Sequence, residues 1–204
     1  RLGGNRDGAI EYVAYFNPSN NQAHKRLSLL PTANQITTYC RGTTLGASSA
    51  SIVAKQVNYD PTRANDGSIT IAVNTVANGF GLEWGTQLTA GKRTDGAAAN
   101  GSGVDFAAAT AFGLQAYLQV FAFTGTDATI KIQESSDNAG TDAYADVVGG
   151  SFTEITSGPT AERIQTARNL AVERWLRVIT TTTGGFSNLI FAVTVMKNET
   201  EVLF

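Results

Sequence analysis

The stretch "NYDPTRANDGSITIAV", residues 58–73, sets four oxygen-bearing side chains (Asn58, Asp60, Asn65 and Asp66) and Gly67 directly before an alternating apolar run. It reads either as a cation-binding loop or as a turn between two strands. An EF-hand loop needs oxygen ligands at positions 1, 3, 5 and 12 with glycine at position 6. Counted from Asp60, position 5 is Ala64 and position 6 is Asn65, so the ligand register fails. The turn has a mechanism instead: Pro61 presets φ where Asp60-Pro61 opens it, and Asp66-Gly67 closes it where a left-handed residue is needed. Downstream, Ile69, Ile71 and Val73 face one way and Ser68, Thr70, Ala72 and Asn74 the other. Upstream, "SIVAKQVNY" (51–59) is also extended, so the stretch predicts strand, turn, strand.

Working outward, "AIEYVAYF" (9–16) is rich in β-branched and aromatic residues and stops at Asn17-Pro18. "SNNQAHKRLSLLP" follows, with Ser19 as N-cap and Ala23, Leu27 and Leu30 at helical spacing before Pro31. That is one short amphipathic helix. "QITTYCRG" (35–42) is a strand, and the small, polar, unpatterned "TTLGASSA" (43–50) is a loop. "AGKRTDGAAANGSG" (90–103) has little to bury and reads as a linker or mobile loop. Beyond it, six runs (112–123, 128–135, 150–156, 162–167, 173–183 and 188–197) alternate with Gly, Asp and Asn turns. They predict a β-sandwich, with "NLIFAVTVMK" (188–197), apolar on both faces, as its central strand.

Composition removes several classes of function. One cysteine, Cys40, allows no intrachain disulfide, and the single histidine, His24, excludes any site built on two imidazoles. Fifteen Lys and Arg against 17 Asp and Glu give a net charge of -2, with no basic block to neutralise phosphates. No apolar run nears the roughly 20 residues that cross a bilayer, so the chain is expected to be soluble, with no membrane partner. Charged residues make up only 16% of the chain. Against about 25% in ordinary soluble domains, this predicts a surface largely covered by partners.

The remaining candidates for chemistry are scattered. Glu11 near Tyr12 and Glu83 near Trp84 have the residue types of a glycosidase pair with sugar platforms, but nothing in the sequence joins them. "GFGLEWG" (79–85) is not a dinucleotide fingerprint, because no helical pattern follows it. Trp84, Trp175 and Tyr117 could line a carbohydrate-binding face, although core or intersubunit tryptophans fit the pattern better. His24 sits on the polar side of the helix beside Lys25 and Arg26 and reads as solvated or interfacial. No catalytic residue, cofactor site or metal site is expected.

Five segments then carry a resemblance: "YFNP" (15–18), "AHKRLSLLP" (23–31), "TTYCRG" (37–42), "VAKQVNYDPTRANDGSITIAV" (53–73) and "GLEWGTQLTAGKRTD" (81–95). Together they resemble the major tail tube proteins of long-tailed, non-contractile bacteriophages, particularly those infecting actinobacteria. The likeness covers residues 8–95. "YLQVFAFTGTDATIKIQESSDN" and "ERWLRVITTTTGGFSNLIFAV" are similar, more broadly, to β-sandwich modules of phage virion proteins.

The resemblance implies a mainly β chain: a tail-tube-type β-barrel or sandwich domain with one helix over residues 1–93, and a jelly-roll-like or Ig-like β-sandwich over 94–204, expected to be the outer domain. It implies a structural virion protein without catalysis, forming stacked, hexameric rings whose inner sheets enclose a channel through which DNA passes without specific binding. Its partners would be further copies and other tail proteins, in a virion tail assembled in the host cytoplasm. The inner sheet would draw on residues 52–59 and 68–76. The inter-subunit loop would comprise Thr43, Thr44, Leu45, Gly46, Ala47, Ser48, Ser49 and Ala50, with Asp60, Arg63 and Asp66 at ring-to-ring contacts. The rival expectation is a receptor- or carbohydrate-binding β-sandwich on a virion.

Overall fold

The computed structural model describes residues 7–20 and 22–201, and the chain is mainly β. It divides into two compact units that interleave in sequence: residues 1–37 with 52–83, and residues 38–51 with 84–204. The sequence reading placed a single cut after residue 93. The chain instead passes between units inside two strands, β2 (Gln35–Cys40) and β3 (Ser48–Gln56), and at the start of β6 (Glu83–Gln87).

The first unit is built on β5 (Ile69–Ala77), whose Ile71, Val73 and Thr75 are buried. β1 (Ala9–Tyr15) pairs with it antiparallel in unbroken register, from Ala9 opposite Val76 to Tyr15 opposite Thr70. The second half of β3 and all of β4 (Asp60–Arg63) pair with β5 as well. Residues 60–63 are therefore strand, which corrects the expectation that Asp60-Pro61 opens the turn. Ala64 donates to the Ser68 carbonyl at 2.8 Å, and Gly67 takes a φ of +87° between them. Ladder bonds alternate from that pair, so Pro61, opposite Ile71, falls where its missing N–H removes no bond.

The helix, α1 (Ala23–Leu27), is shorter than the expected run from Ser19. Gln22 is its N-cap, without a side-chain bond, because Asn17 and Ser19 are committed to a preceding turn: the Asn17 side chain accepts from the Ser19 amide and its carbonyl from that of His24. The Leu27 carbonyl accepts from Gln56 Nε2 at 2.8 Å. A cavity of about 370 Å3 remains, walled by Tyr12, Leu27, Pro31, Ile36 and Gln56 among others.

The second unit contains the main core. β10 (Leu114–Gly125) pairs with β15 (Phe186–Lys197) along its length and with β13 (Thr160–Gln165) on its other side. β15 also receives β6 and β7 (Arg93–Asp95), so it is the interior strand that its two apolar faces predict. A second sheet runs β12 (Ala145–Ser151), β11 (Thr129–Ser135), β14 (Trp175–Thr181), β8 (Ala99–Asn100), with β9 (Val104–Asp105) also on β14. Between the sheets pack Leu118, Phe191 and Val193 from one side and Ile130, Ile132, Leu176 and Val178 from the other. The unit is a β-sandwich.

Residues 90–103 are not a free linker. β7 and β8 lie within them, and Arg93 holds the segment: it bonds Asp95 at 2.8 Å and the carbonyls of Val178 and Ala99, with its guanidinium 5.5 Å from the Phe191 ring. Asp95 in turn accepts from the Thr180 hydroxyl. These two charged side chains, with the ladders of β7 on β15 and β8 on β14, order a bland sequence because the sandwich offers them partners.

Candidate assembly surfaces

Strand β1 exposes an edge and a face. Alternation turns Ile10, Tyr12 and Ala14 partly inward and Ala9, Glu11, Val13 and Tyr15 outward. Val13 is 69% exposed and Tyr15 78%, far outside the range of core residues. Val76, opposite Ala9, extends the apolar character of the face. β1 ends the strand order, and among the described residues no strand lies along its second edge.

Three of the other terminal strands carry features that obstruct pairing, whereas β2, which pairs only with β3 among the described strands, has neither charge, proline nor glycine. β4 has Pro61 and two charges in four residues. β12 is interrupted by a register shift and bends at Gly149, whose φ is +77°. Beside β13, the Glu162 carboxylate is occupied by the amide and hydroxyl of Thr153. β1 has neither proline, glycine nor bulge, and its one charge is Glu11. A seven-residue strand of this kind is a template for another strand.

The segment assigned to inter-subunit contact proves to be two things. Ser48, Ser49 and Ala50 belong to β3, and Ser49 and Ala50 are buried, which corrects the loop reading of 43–50. By alternation Ser49 shares the sheet face on which the Ser51 hydroxyl meets those of Thr38 and Thr194, each at 3.1 Å, and Ala50 is buried on the opposite face. Thr43, Thr44, Leu45, Gly46 and Ala47 do form a loop, but a pinned one. Gly46 donates to the Gln87 carbonyl, the Gln87 amide donates to Ala47, and Gln87 Nε2 reaches the Gly42 and Ser48 carbonyls. Leu45 packs on the sandwich core.

Asp60, Arg63 and Asp66 are all exposed on β4 and its turn. Asp60 accepts from Asn58, and Asp66 accepts from the Ser68 amide and hydroxyl. The Ser68 amide, more than any other group, holds the Asp66 carboxyl below its ordinary value. Among the described residues no group of three or more His, Cys, Asp or Glu side chains is placed to hold a metal ion.

The remaining sequence candidates do not converge. Tyr117 is buried, with its hydroxyl 3.1 Å from Arg163 Nε; Trp175 is partly buried on the second sheet, 5.6 Å from the Arg174 guanidinium; Trp84 is 64% exposed. They share no binding face. Glu83 is buried and Glu11 exposed. His24 is half-buried rather than solvated, its ring tilted against that of Phe16 at 4.7 Å and lying 2.7 Å from the Tyr59 hydroxyl. Burial pushes the half-buried Cys40 thiol above its ordinary value. Strand β1 was missed as a surface although its pattern carried the signal: Val13 and Tyr15 lie in phase with Glu11, so the charge marks their face as outward.

No protein-family model and no curated protein matches the chain. Among solved structures, the crystal structure of the Dit protein of phage SPP1, described as a paradigm of the hub adsorption apparatus in phages infecting Gram-positive bacteria, aligns over 94% of this chain and 79% of its own. The identity is 9% and the TM-score 0.23, too low for the alignment to carry an argument about what this chain does. No helix among the described residues is long and apolar enough to cross a membrane.

Proposed function

We propose that this chain is a structural subunit of a bacteriophage tail that assembles with copies of itself through the open edge of β1. The observation that carries the reading is that edge: seven residues in unbroken register with β5, no blocking residue, and Val13 and Tyr15 exposed beside it. Pairing there would satisfy the orphan backbone groups and cover the apolar side chains in one step. The likeness of residues 8–95 to tail tube proteins supports stacked, hexameric rings as the product, with other tail proteins at the ends. A net charge of -2 suits a channel along which DNA slides without being held. The reading assigns the chain no catalysis, a virion location and assembly in the host cytoplasm.

Negative-stain microscopy of the concentrated protein tests this directly. Rings or tubes are the expected result, and monomers at every concentration and pH would overturn it. A receptor- or carbohydrate-binding module is the second reading, favoured by the exposure of Trp84. It predicts a discrete small oligomer whose glycan binding is lost in Trp84→Ala.

A further inference from the structure

We propose that Lys197 and the cavity beside it form a site for reversible covalent capture of a small apolar aldehyde as an imine. Lys197 closes β15, and its half-buried side chain donates to the carbonyls of Ala108, at 2.6 Å, and of Glu173. A neutral amine has two N–H bonds and one lone pair. With both hydrogens taken by carbonyls, the remaining tetrahedral position is the lone pair, on a side chain that lines a cavity of about 320 Å3. The other walls are Phe106, Ala107, Ala108 and Ala109, which suit a short hydrocarbon chain, and Thr110, Asn198 and Glu199 on the polar side.

Burial holds the Lys197 ammonium down to about 8, against a partial upward pull from Glu134, Asp105 and Glu173. About one amine in ten is then neutral at pH 7, against fewer than about one in a thousand for an ordinary lysine. The same carboxylates select the chemistry. They favour a cation at this nitrogen, which a protonated imine retains and which acylation or carbamate formation abolishes.

In the reaction the nitrogen lone pair adds to the aldehyde carbon, and the carbonyl oxygen takes up a proton to give a carbinolamine. That oxygen then leaves as water and the nitrogen sheds its hydrogens, so amine and aldehyde become imine and water with no change in oxidation state. Protonation of the imine restores one N–H, enough for one of the two carbonyl acceptors. The site is independent of the β1 edge and of the proposed assembly.

The test uses the full chain with butanal at pH 7 and cyanoborohydride to trap the imine as a secondary amine, followed by digestion and mass spectrometry. Lys197 is expected to be alkylated about 10-fold faster than exposed Lys25, with the advantage shrinking towards pH 10 and vanishing in denaturing urea. Equal or slower labelling of Lys197 in the folded chain, or a preference that persists after unfolding, would overturn the proposal.

Discussion

Phe191 and Asp137 show how differently single residues sustain this fold. Phe191 is fully buried between the sandwich sheets, and Phe191→Ala should cost about 3–5 kcal/mol, read as a lower urea midpoint. Asp137 is exposed yet organises a turn. Its carboxylate accepts from the Thr141 hydroxyl and amide and from the Gly140 and Asp142 amides. These donors, the Thr141 hydroxyl foremost, hold its pKa at about 2. A depressed carboxylate contributes stability that is present above its ordinary value of 3.8 and lost as pH falls through about 2. Melting temperatures of Asp137→Asn should therefore fall less steeply than wild type between pH 5 and 2; parallel curves would remove Asp137 from the account. Asp66-Gly67 was legible in sequence as a turn closer because its bonds are local. Asp-Asn-Ala-Gly at 137–140 was legible as a turn too, but the part of the Asp137 carboxylate was not, since its partners depend on how the whole 135–142 segment coils.

At the scale of elements, the argument turns on β1 and β3. Val13→Lys with Tyr15→Lys changes only outward positions, so the monomer should keep its melting temperature while sedimentation shows assembly lost. Undiminished assembly would clear β1 of the role. Deleting residues 43–50 is a different matter, because Ser49 and Ala50 are buried within β3. The deletion should unfold the chain or lower its melting temperature sharply, and a stable product would contradict the strand assignment. Residues 48–50 misled because Ser and Ala have weak strand preference, and their state is set by neighbours supplied from distant sequence. The run at 188–197 was legible because apolar, β-branched and aromatic residues on both faces, after a Gly-Gly turn, suit a covered strand.

For the molecule as a whole, the two units differ in how much they bury. The described core cluster lies in the sandwich unit, whereas every residue of β1 is at least partly exposed. In dilute protein, β1 amides should exchange with deuterium about 100-fold faster than those of β15, and assembly should protect β1 selectively. Because the candidate edge offers backbone groups and apolar side chains, assembly should survive about 0.5 M salt; dissolution there would indicate ionic contacts instead. Sequence by itself determined the β class, the presence of a short helix before Pro31, the positions of most strands and the failure of the calcium register, because each follows from local periodicity or spacing. Only the tertiary structure decided that residues 90–103 are pinned, that the compact units interleave, and that among the described residues no strand lies along the second edge of β1. Those outcomes depend on which distant strands meet, and local periodicity carries no record of that.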